Sequence, residues 1–329
     1  MRRWNLVIGI AISLVCLVLA LVGIEWDRAG EALRRADWRY LLPAGVALVG
    51  YLVARAIRWR NLLGPQVFLG EAFAVTNIGY LISNVLPLRL GDPARAVAIG
   101  LGGKVRIGAA LSTVLVERVL DMLTVVLLLA VTVPFVGNAG WTVKAGIVGG
   151  LAGLAMMALL VWLAVRPEWG MRVLDWVLGR LPWADRERWR RLGADLLQGL
   201  AALRSVRTTA GLLAWSFITW GFTVGHYFSI LRSFIGGPSV IEASFLTCAT
   251  GLGMAVPSSP GAVGVFHSVA RYALQLPFGV PAETAVLVAF ASHTFQYVVM
   301  CFLGLIGLVQ QNLSLGQLQR DAVATMARE

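Results

Sequence analysis

The sequence predicts an all-α polytopic membrane protein with about six full spans and two re-entrant helical hairpins arranged as inverted repeats. Hydrophobic residues make up 58% of the 329 residues and charged residues only 14%, a composition that cannot cover the surface of a water-soluble domain. Several apolar runs are long enough to cross a bilayer. Two further apolar runs are interrupted by polar segments rich in proline and glycine, one in each half of the chain.

The spans follow from length, because a helix needs about 20 apolar residues to cross roughly 30 Å of hydrocarbon. Six runs satisfy this requirement: 4–24, 40–57, 107–136, 144–165, 209–231 and 282–309. The first follows a basic start typical of a signal peptide. Because its apolar run is too long and no small-residue cleavage site follows, we expect it to be a retained anchor.

We expect one membrane domain over residues 1–329. Its segments are an N-terminal span and outer loop (1–39), a first repeat (40–136) with a re-entrant hairpin (72–102), a linker span and basic cytoplasmic amphipathic segment (137–208), a second repeat (209–310) with a re-entrant hairpin (241–276), and a cytoplasmic tail (311–329). The amphipathic segment alternates tryptophan and leucine with arginine, which is typical of a helix at an anionic lipid surface. A basic cytoplasmic loop that only fixes the orientation of the chain explains this composition equally well.

Charge sets the orientation of the chain. The 28 basic and 17 acidic residues give a formal net charge of +11, and in a membrane protein basic residues mark the cytoplasmic loops. Placing both termini inside puts most of the basic residues on the inner side, Arg55 and Arg58 among them. The sequence therefore predicts a multi-pass protein of the cytoplasmic (inner) membrane with both termini in the cytoplasm.

The two polar breaks share one sequence pattern. Pro87 is followed four residues later by Gly91, and Pro257 by Gly261, and a full span closes each unit. Backbone that leaves a helix at membrane depth must line a polar cavity or be buried in protein. The charge-based orientation gives the two units opposite directions, as in transporters with inverted repeats. The helix breaks are assigned to Pro87, Gly91, Pro257, Pro260, Gly261 and Gly264.

The segment VERVLDML places Glu117, Arg118 and Asp121 inside a span, with the two carboxylates four residues apart on one helical face. Such charges need a partner or water at membrane depth. One interpretation is structural, with a carboxylate satisfying Arg89, Arg95 or Arg118 and holding the hairpin. The other is functional, with the arginines receiving a phosphate, which suits the forked guanidinium. Both interpretations stay open.

The second half adds polar groups without metal-ligand or catalytic spacing. Ser258 and Ser259 lie beside proline and glycine, where helix capping is the alternative to ligand binding. His267 and Arg271 are four residues apart, and His293 lies in the final span. The histidines suit hydrogen-bonded pore or packing positions better than a zinc site, and His267 suits a proton-linked role. We expect no metal, no cofactor and no enzymatic activity, since no catalytic motif is present.

Four motifs together resemble the flippase-like family typified by the transmembrane domain of lysylphosphatidylglycerol synthases. They are RWRNLL (58–63), NVLPLRLGDPAR (84–95), VERVLDML (116–123) and PSSPGAVGVF (257–266), and the resemblance extends over about residues 3–309. It implies a protein that moves or presents polar lipids across the cytoplasmic membrane. The tail SLGQLQRDAVATMARE leads us to expect a standalone member without the soluble synthase domain. Asp92 and His267 replace glutamates usual in the family.

These observations predict translocation of a membrane lipid with an anionic, phosphate-bearing headgroup. The headgroup residues are assigned to Asn84, Arg89, Arg95, Arg118, Ser258 and Ser259, and the gating or charge network to Asp92, Glu117, Asp121, His267, Arg271 and His293. The alternatives are a non-transporting accessory or scaffold for a glycolipid- or lipid-modifying enzyme, and a small-solute carrier. We expect no nucleic-acid partner, and a homo-oligomer is left open.

Overall fold

The computed structural model describes residues 2–86, 90–136, 140–180, 185–254 and 259–314, together with residues 316 and 318, and in these residues all regular structure is helical. The α-helices are α1 (Arg2–Leu21), α2 (Trp26–Arg35), α3 (Leu41–Leu63), α4 (Leu69–Val85), α5 (Gly91–Leu101), α6 (Ile107–Thr132), α7 (Gly140–Val165), α8 (Pro167–Gly179), α9 (Arg186–Gly199), α10 (Val206–Phe234), α11 (Val240–Gly253), α12 (Val265–Phe278) and α13 (Ala282–Gln310). The chain is therefore all-α, as the sequence predicts.

Long apolar helices are present, although fewer than six of the described helices are both long enough and apolar enough to cross a membrane. Among the described residues, Trp38–Leu63 and Ala282–Gln310 meet it, and Ile10–Leu21 joins them only if it is counted with α2, against which it bends by 81°. Helices α6 and α10 have 26 and 29 residues, enough to cross a bilayer at 1.5 Å per residue. Helix α6 has the length of a membrane span, but it also carries three charged residues, which need partners or water at membrane depth.

The break in the first half separates two helices that pack against each other. Helix α4 has 17 residues and α5 has 11, so α5 is too short to cross the hydrocarbon alone. The helices approach closely because glycine faces glycine: a Cβ on Gly79 would lie 3.0 Å from the Gly91 carbonyl oxygen. At the open end, Lys104 Nζ contacts Glu71 Oε2 at 2.6 Å. The segment is a helix–break–helix hairpin.

The second half has a matching hairpin built from α11 and α12, of 14 residues each. Helix α11 begins with a capping box in which Ser239 Oγ accepts from Glu242 N–H and Glu242 Oε2 accepts from Ser239 N–H. A 3₁₀ turn at Pro260–Ala262 follows the break, with φ +65° at Gly261 and +91° at Gly264. Both angles lie in the left-handed region that favours glycine, as expected for helix breaks.

The two largest clusters of buried hydrophobic residues among the described residues lie mainly one in each half. The first surrounds Trp59 and includes residues of α4, α5 and α6, while the second joins α10, α11, α12 and α13. Helix α13 also packs along α4 and so links the halves. A Cβ on Gly304 would lie 2.7 Å from the Asn77 carbonyl oxygen, and one on Gly307 would lie 2.7 Å from that of Ala74. These glycines let the two backbones touch.

We expect Gly304→Leu to destabilise the fold by at least about 1 kcal/mol, because the new side chain would overlap the α4 backbone. The measurement is the midpoint of thermal unfolding of purified protein in detergent, followed by intrinsic fluorescence. Gly221→Leu is the matched control, since nothing lies within 4 Å of a Cβ at that position in α10. Equal midpoints for the two variants would show that α13 does not require close approach to α4.

Candidate functional site

Charged side chains gather where α3, α5 and α6 meet, and we call them the charge network. Its members are Arg55 and Arg58 on α3, Asp92 and Arg95 on α5, and Glu117, Arg118 and Asp121 on α6. Each helix contributes pairs spaced three or four residues apart, which places the side chains of a pair on one face. The three helices thus present their charges to one shared volume.

The centre of the network consists of Glu117 and Asp121, each paired with both arginines of α3. Arg58 Nη2 lies 2.7 Å from Asp121 Oδ1 and 3.4 Å from Glu117 Oε1. Arg55 forms an ion pair with Glu117 and places Nη1 3.2 Å from Asp121 Oδ2. Arg58 Nη1 also donates to Ser216 Oγ of α10 at 2.9 Å. All four charged side chains are buried, so they depend on one another for compensation.

Helix α5 joins the centre through Arg95. Its Nη2 lies 3.1 Å from Glu117 Oε2, and its guanidinium lies 4.7 Å from the centre of the Trp59 ring, a cation–π geometry. The Trp59 indole N–H in turn donates to Thr113 Oγ1 at 3.1 Å. Arg95 therefore fixes the short helix of the first hairpin to both α3 and α6.

The outer edge of the network is the pair Arg118–Asp92. Arg118 Nε and Nη2 each lie 2.8 Å from an oxygen of Asp92, which is a two-pronged ion pair. The Arg118 side chain is 47% exposed and that of Asp92 is 34% exposed, whereas the other members are nearly inaccessible. Among the described members of the network, Arg118 and Asp92 are therefore the two side chains that a ligand can reach.

The network carries an excess of positive charge. Four arginines share three carboxylates, so that the described members of the network carry a formal net charge of +1 although each arginine contacts a carboxylate. In addition, no described residue accepts a hydrogen bond from the buried Nε atoms of Arg55 and Arg58. An uncompensated charge is costly at low dielectric, and guanidinium groups bind phosphate oxygens with good geometry. The site is thus chemically suited to an anion.

Arg55 and Arg58, which the charge count places on the inner side of the membrane, belong to the charge network and not to the polar surface of a loop. Both lie within α3, fully packed against other side chains, and make ion pairs with Glu117 and Asp121. Counting basic residues near a span end could not separate a loop arginine from a buried one. The available signal was their spacing of three residues inside an apolar run, which matches the two carboxylates spaced by four on α6.

Asn84, His267 and His293 form a separate polar group where α4, α12 and α13 meet. The rings of His267 and His293 lie 4.9 Å apart, and His267 Nδ1 accepts from the Gly264 N–H at 3.2 Å. The Tyr297 hydroxyl donates to the Asn84 carbonyl oxygen at 3.2 Å. Through this last contact the end of α4 in the first hairpin reaches α13, which packs on the second hairpin.

Arg271 and Ser259 contact α1 instead of the charge network. Arg271 Nη1 donates to the carbonyl oxygens of Leu19, Ala20 and Val22 at 2.9, 3.1 and 2.8 Å. These carbonyls lie at the C-terminal end of α1, where they have no partner within the helix and where a positive charge is favourable. The Ser259 N–H likewise donates to an α1 side chain, Ser13 Oγ, at 2.8 Å.

Several residues assigned from the sequence lie outside the described residues: Pro87, Arg89, Pro257 and Ser258. Of the other helix-break residues, Gly91 begins α5, Pro260 and Gly261 lie in the 3₁₀ turn, and Gly264 precedes α12. Within the part of the chain that the structure describes, no three His, Cys, Asp or Glu side chains are grouped so that they could hold a metal ion.

Apolar helices, broken helix pairs and compensated charges inside a helical bundle define an integral membrane protein. The chain belongs to the family described as the lysylphosphatidylglycerol synthase TM region, whose model matches residues 6–304. The resemblance seen in the four sequence motifs is therefore confirmed.

Three relatives extend the comparison. Two UPF0104 membrane proteins of Methanothermobacter thermautotrophicus are 25% and 23% identical over 278 and 312 residues, covering 79% and 90% of this chain and 82% and 90% of the relatives. The protein named glycosyltransferase AglD of Haloferax volcanii is 24% identical, with 100% of this chain aligned to 58% of that protein. No solved structure gave a significant match.

We expect Glu117→Ala to destabilise the protein by about 3–5 kcal/mol, the usual cost of removing one partner from a buried ion pair. Three arginines would lose their shared carboxylate. Thermal unfolding and the monodisperse yield on size-exclusion chromatography measure the effect.

Glu31→Ala is the control, because it removes an exposed carboxylate that pairs with Arg35 four residues away on α2. Exposed pairs of this kind contribute at most about 1 kcal/mol. If the two variants unfold alike, the buried pairs do not hold α3, α5 and α6 together.

Proposed function

We propose that this protein moves a membrane lipid with an anionic, phosphate-bearing headgroup across the cytoplasmic membrane. The observation that carries the proposal is the net positive charge of the charge network, combined with the exposure of Arg118 and Asp92 at its edge. A phosphate supplies the missing negative charge and several strong acceptor oxygens. A lipid headgroup is the form in which a phosphate reaches a site among membrane helices.

The phosphate binds Arg118 by taking the place of Asp92. Asp92 keeps a second partner in this exchange, since its Oδ1 lies 3.4 Å from Arg95 Nε. Loss of the Arg118–Asp92 pair releases the start of α5 from α6 while Arg95 stays bound to Glu117. Headgroup binding is thereby coupled to gating.

The remaining residues have two proposed roles: some hold Arg118 and Asp92 in place, and others line the route of the headgroup. Arg55, Arg58, Arg95, Glu117 and Asp121 support the site and are too deeply buried to receive a headgroup directly. Asn84, Ser259, His267 and His293 lie near the second break and provide polar groups for a headgroup in transit. Arg89 and Ser258 remain proposed headgroup contacts at the two breaks.

In the proposed arrangement the chain crosses the membrane six times, its two halves form inverted repeats, and both termini lie in the cytoplasm.

A second candidate is a non-transporting partner of a lipid-modifying enzyme. Two observations favour it: the family is described as the membrane region of a synthase, and one relative is named a glycosyltransferase. In that role the charge network would present a phosphate-bearing lipid to another protein without moving it between leaflets. The two candidates share the binding step and differ in whether the headgroup changes sides.

The test is reconstitution into liposomes that contain fluorescent phosphatidylglycerol, with dithionite quenching as the measure of movement between leaflets. We expect Arg118→Gln to slow movement by about tenfold to a hundredfold, the effect of losing one charge-assisted bidentate contact. Arg118→Lys keeps the charge without the fork and is expected to give an intermediate rate.

Arg35→Gln is the matched control, because Arg35 is an exposed arginine paired with one carboxylate on the surface of α2; its rate should equal that of the wild type. Fluorescent phosphatidylcholine tests the need for a net negative headgroup. If the wild-type protein binds phosphatidylglycerol through Arg118 and moves neither lipid, the accessory candidate replaces translocation. If neither movement nor binding depends on Arg118, the headgroup site is wrong.

A further inference from the structure

An apolar cavity of about 320 Å³ lies between α6, α7, α8 and α9, in a part of the protein that the proposed function does not use. Its walls include Leu115, Val116 and Val119 of α6, Leu163 of α7, and Met171 and Leu174 of α8. Among the described residues that line it, Ser112 supplies the one polar side chain, and its hydroxyl donates to the Gly108 carbonyl oxygen at 3.0 Å. The cavity therefore offers almost no binding site for water.

The size of the cavity calls for an apolar occupant. An apolar cavity of about 150 Å³ in a protein core stays dry and binds a molecule as large as benzene, and this one is about twice that volume. A void without atoms deprives its lining of dispersion contacts. Two glycines keep the space unfilled: a Cβ on Gly170 would lie 3.0 Å from Leu197 Cδ2, and one on Gly193 would overlap the Leu174 side chain.

The cavity has an opening on the outer surface of α6. Leu115 lines the cavity and yet is 44% exposed. Seven residues later on the same helical face, Met122 is also exposed. An exposed apolar stripe on a membrane helix faces lipid, so a hydrocarbon chain can enter the cavity from the side without passing through water.

Helix α8 places the cavity at the level of the lipid headgroups. Its inner face carries Met171 and Leu174, while its outer face exposes Trp169, Val173 and Trp176, the last with 60% of its surface accessible. The exposed surface of α8 combines these large apolar side chains with charged ones, so it suits the boundary between water and lipid. Exposed tryptophans with neighbouring arginines are typical of helices that lie in the interface of a bilayer.

The charge of this region complements an anionic headgroup. Residues 166–207 contain nine arginines and five carboxylates. Two of the arginines lie over tryptophan rings: the Arg172 guanidinium is 5.4 Å from the centre of Trp169, and that of Arg180 is 3.3 Å from the centre of Trp176. Basic residues at the bilayer surface attract anionic lipids. Arg172 directly follows Met171, so charge and cavity are adjacent on α8.

We propose that the cavity between α6, α7, α8 and α9 binds one acyl chain of an anionic phospholipid whose headgroup rests on the arginines of residues 166–207. This lipid site is separate from the charge network and does not depend on translocation. The bound chain fills the space between the spans α6 and α7 and the interfacial pair α8 and α9, and it holds that pair against the bundle.

The probe is phosphatidylglycerol with a diazirine near the end of one acyl chain, incorporated into nanodiscs that contain the full chain. After irradiation, mass spectrometry locates the labelled peptides. We expect labelling in segments 115–119 and 170–174, which line the cavity from two helices. Labelling confined to exposed spans such as α1, with none in these segments, would overturn the proposal.

A double variant, Val119→Phe with Leu163→Phe, tests the cavity by filling it. If the two new rings displace two or more methylenes of the acyl chain from the cavity, the chain binds about tenfold more weakly, and labelling should fall by about the same factor. Met122→Phe is the matched control, because it adds the same ring to the exposed face of α6 outside the cavity. Size-exclusion chromatography checks that each variant is folded. Unchanged labelling in a folded double variant would contradict an acyl chain in the cavity.

Two further arms test the headgroup and the independence of the site. The double variant Arg172→Gln with Arg180→Gln should weaken labelling by the anionic probe and leave labelling by the phosphatidylcholine analogue unchanged. Equal loss with both probes would overturn the headgroup assignment. Arg118→Gln should leave cavity labelling intact, and its loss there would show that the chain belongs to the transported lipid. A failure of translocation alone leaves all these readouts in place.

Discussion

The pairing of Glu117 and Asp121 with Arg55 and Arg58 is the interaction on which the rest of the structure depends. A buried charge without a partner costs several kcal/mol, so these helices must meet in a register that brings every carboxylate to a guanidinium. Arg95 extends the same requirement to α5, and the hydrogen bond from Arg58 to Ser216 extends it to α10. Hydrophobic packing alone would permit α3 and α6 to slide against each other, whereas the ion pairs select one register.

The charge network also separates a fixed part of the protein from a part that can change. The inner pairs are inaccessible and each carboxylate there has several partners, so replacing one partner leaves the others in place. Arg118 and Asp92 lie at the accessible edge and exchange their contacts at lower cost, because water or a ligand can take over either role. The proposed headgroup site at this edge would therefore bind its ligand without breaking the buried pairs.

The sequence predicts the helices, the breaks and the carboxylates of this arrangement, but it does not predict which side chains contact one another. The all-helical architecture, the two breaks and the unusual carboxylates of α6 followed from hydropathy, proline and glycine positions, and helical spacing. The membership of Arg55 and Arg58 in the network did not, because basic residues near the end of a span look the same whether they face a loop or a neighbouring helix. The cavity beside α8 was also beyond reach, since it arises from glycines on two helices that meet only in the folded chain.

The bond from Arg271 to the end of α1 has a consequence for the order in which the protein is assembled. The donor and its acceptors are separated by about 250 residues, and ribosomes add about 5–20 residues per second. The last carbonyls of α1 therefore wait about 10–50 s after their own synthesis before the arginine that caps them exists. During that interval the first helix must remain at the interface or be shielded by the insertion machinery, and it docks only when the second hairpin is made. Its final position is thus a late event in biogenesis, although α1 is made before every other described helix.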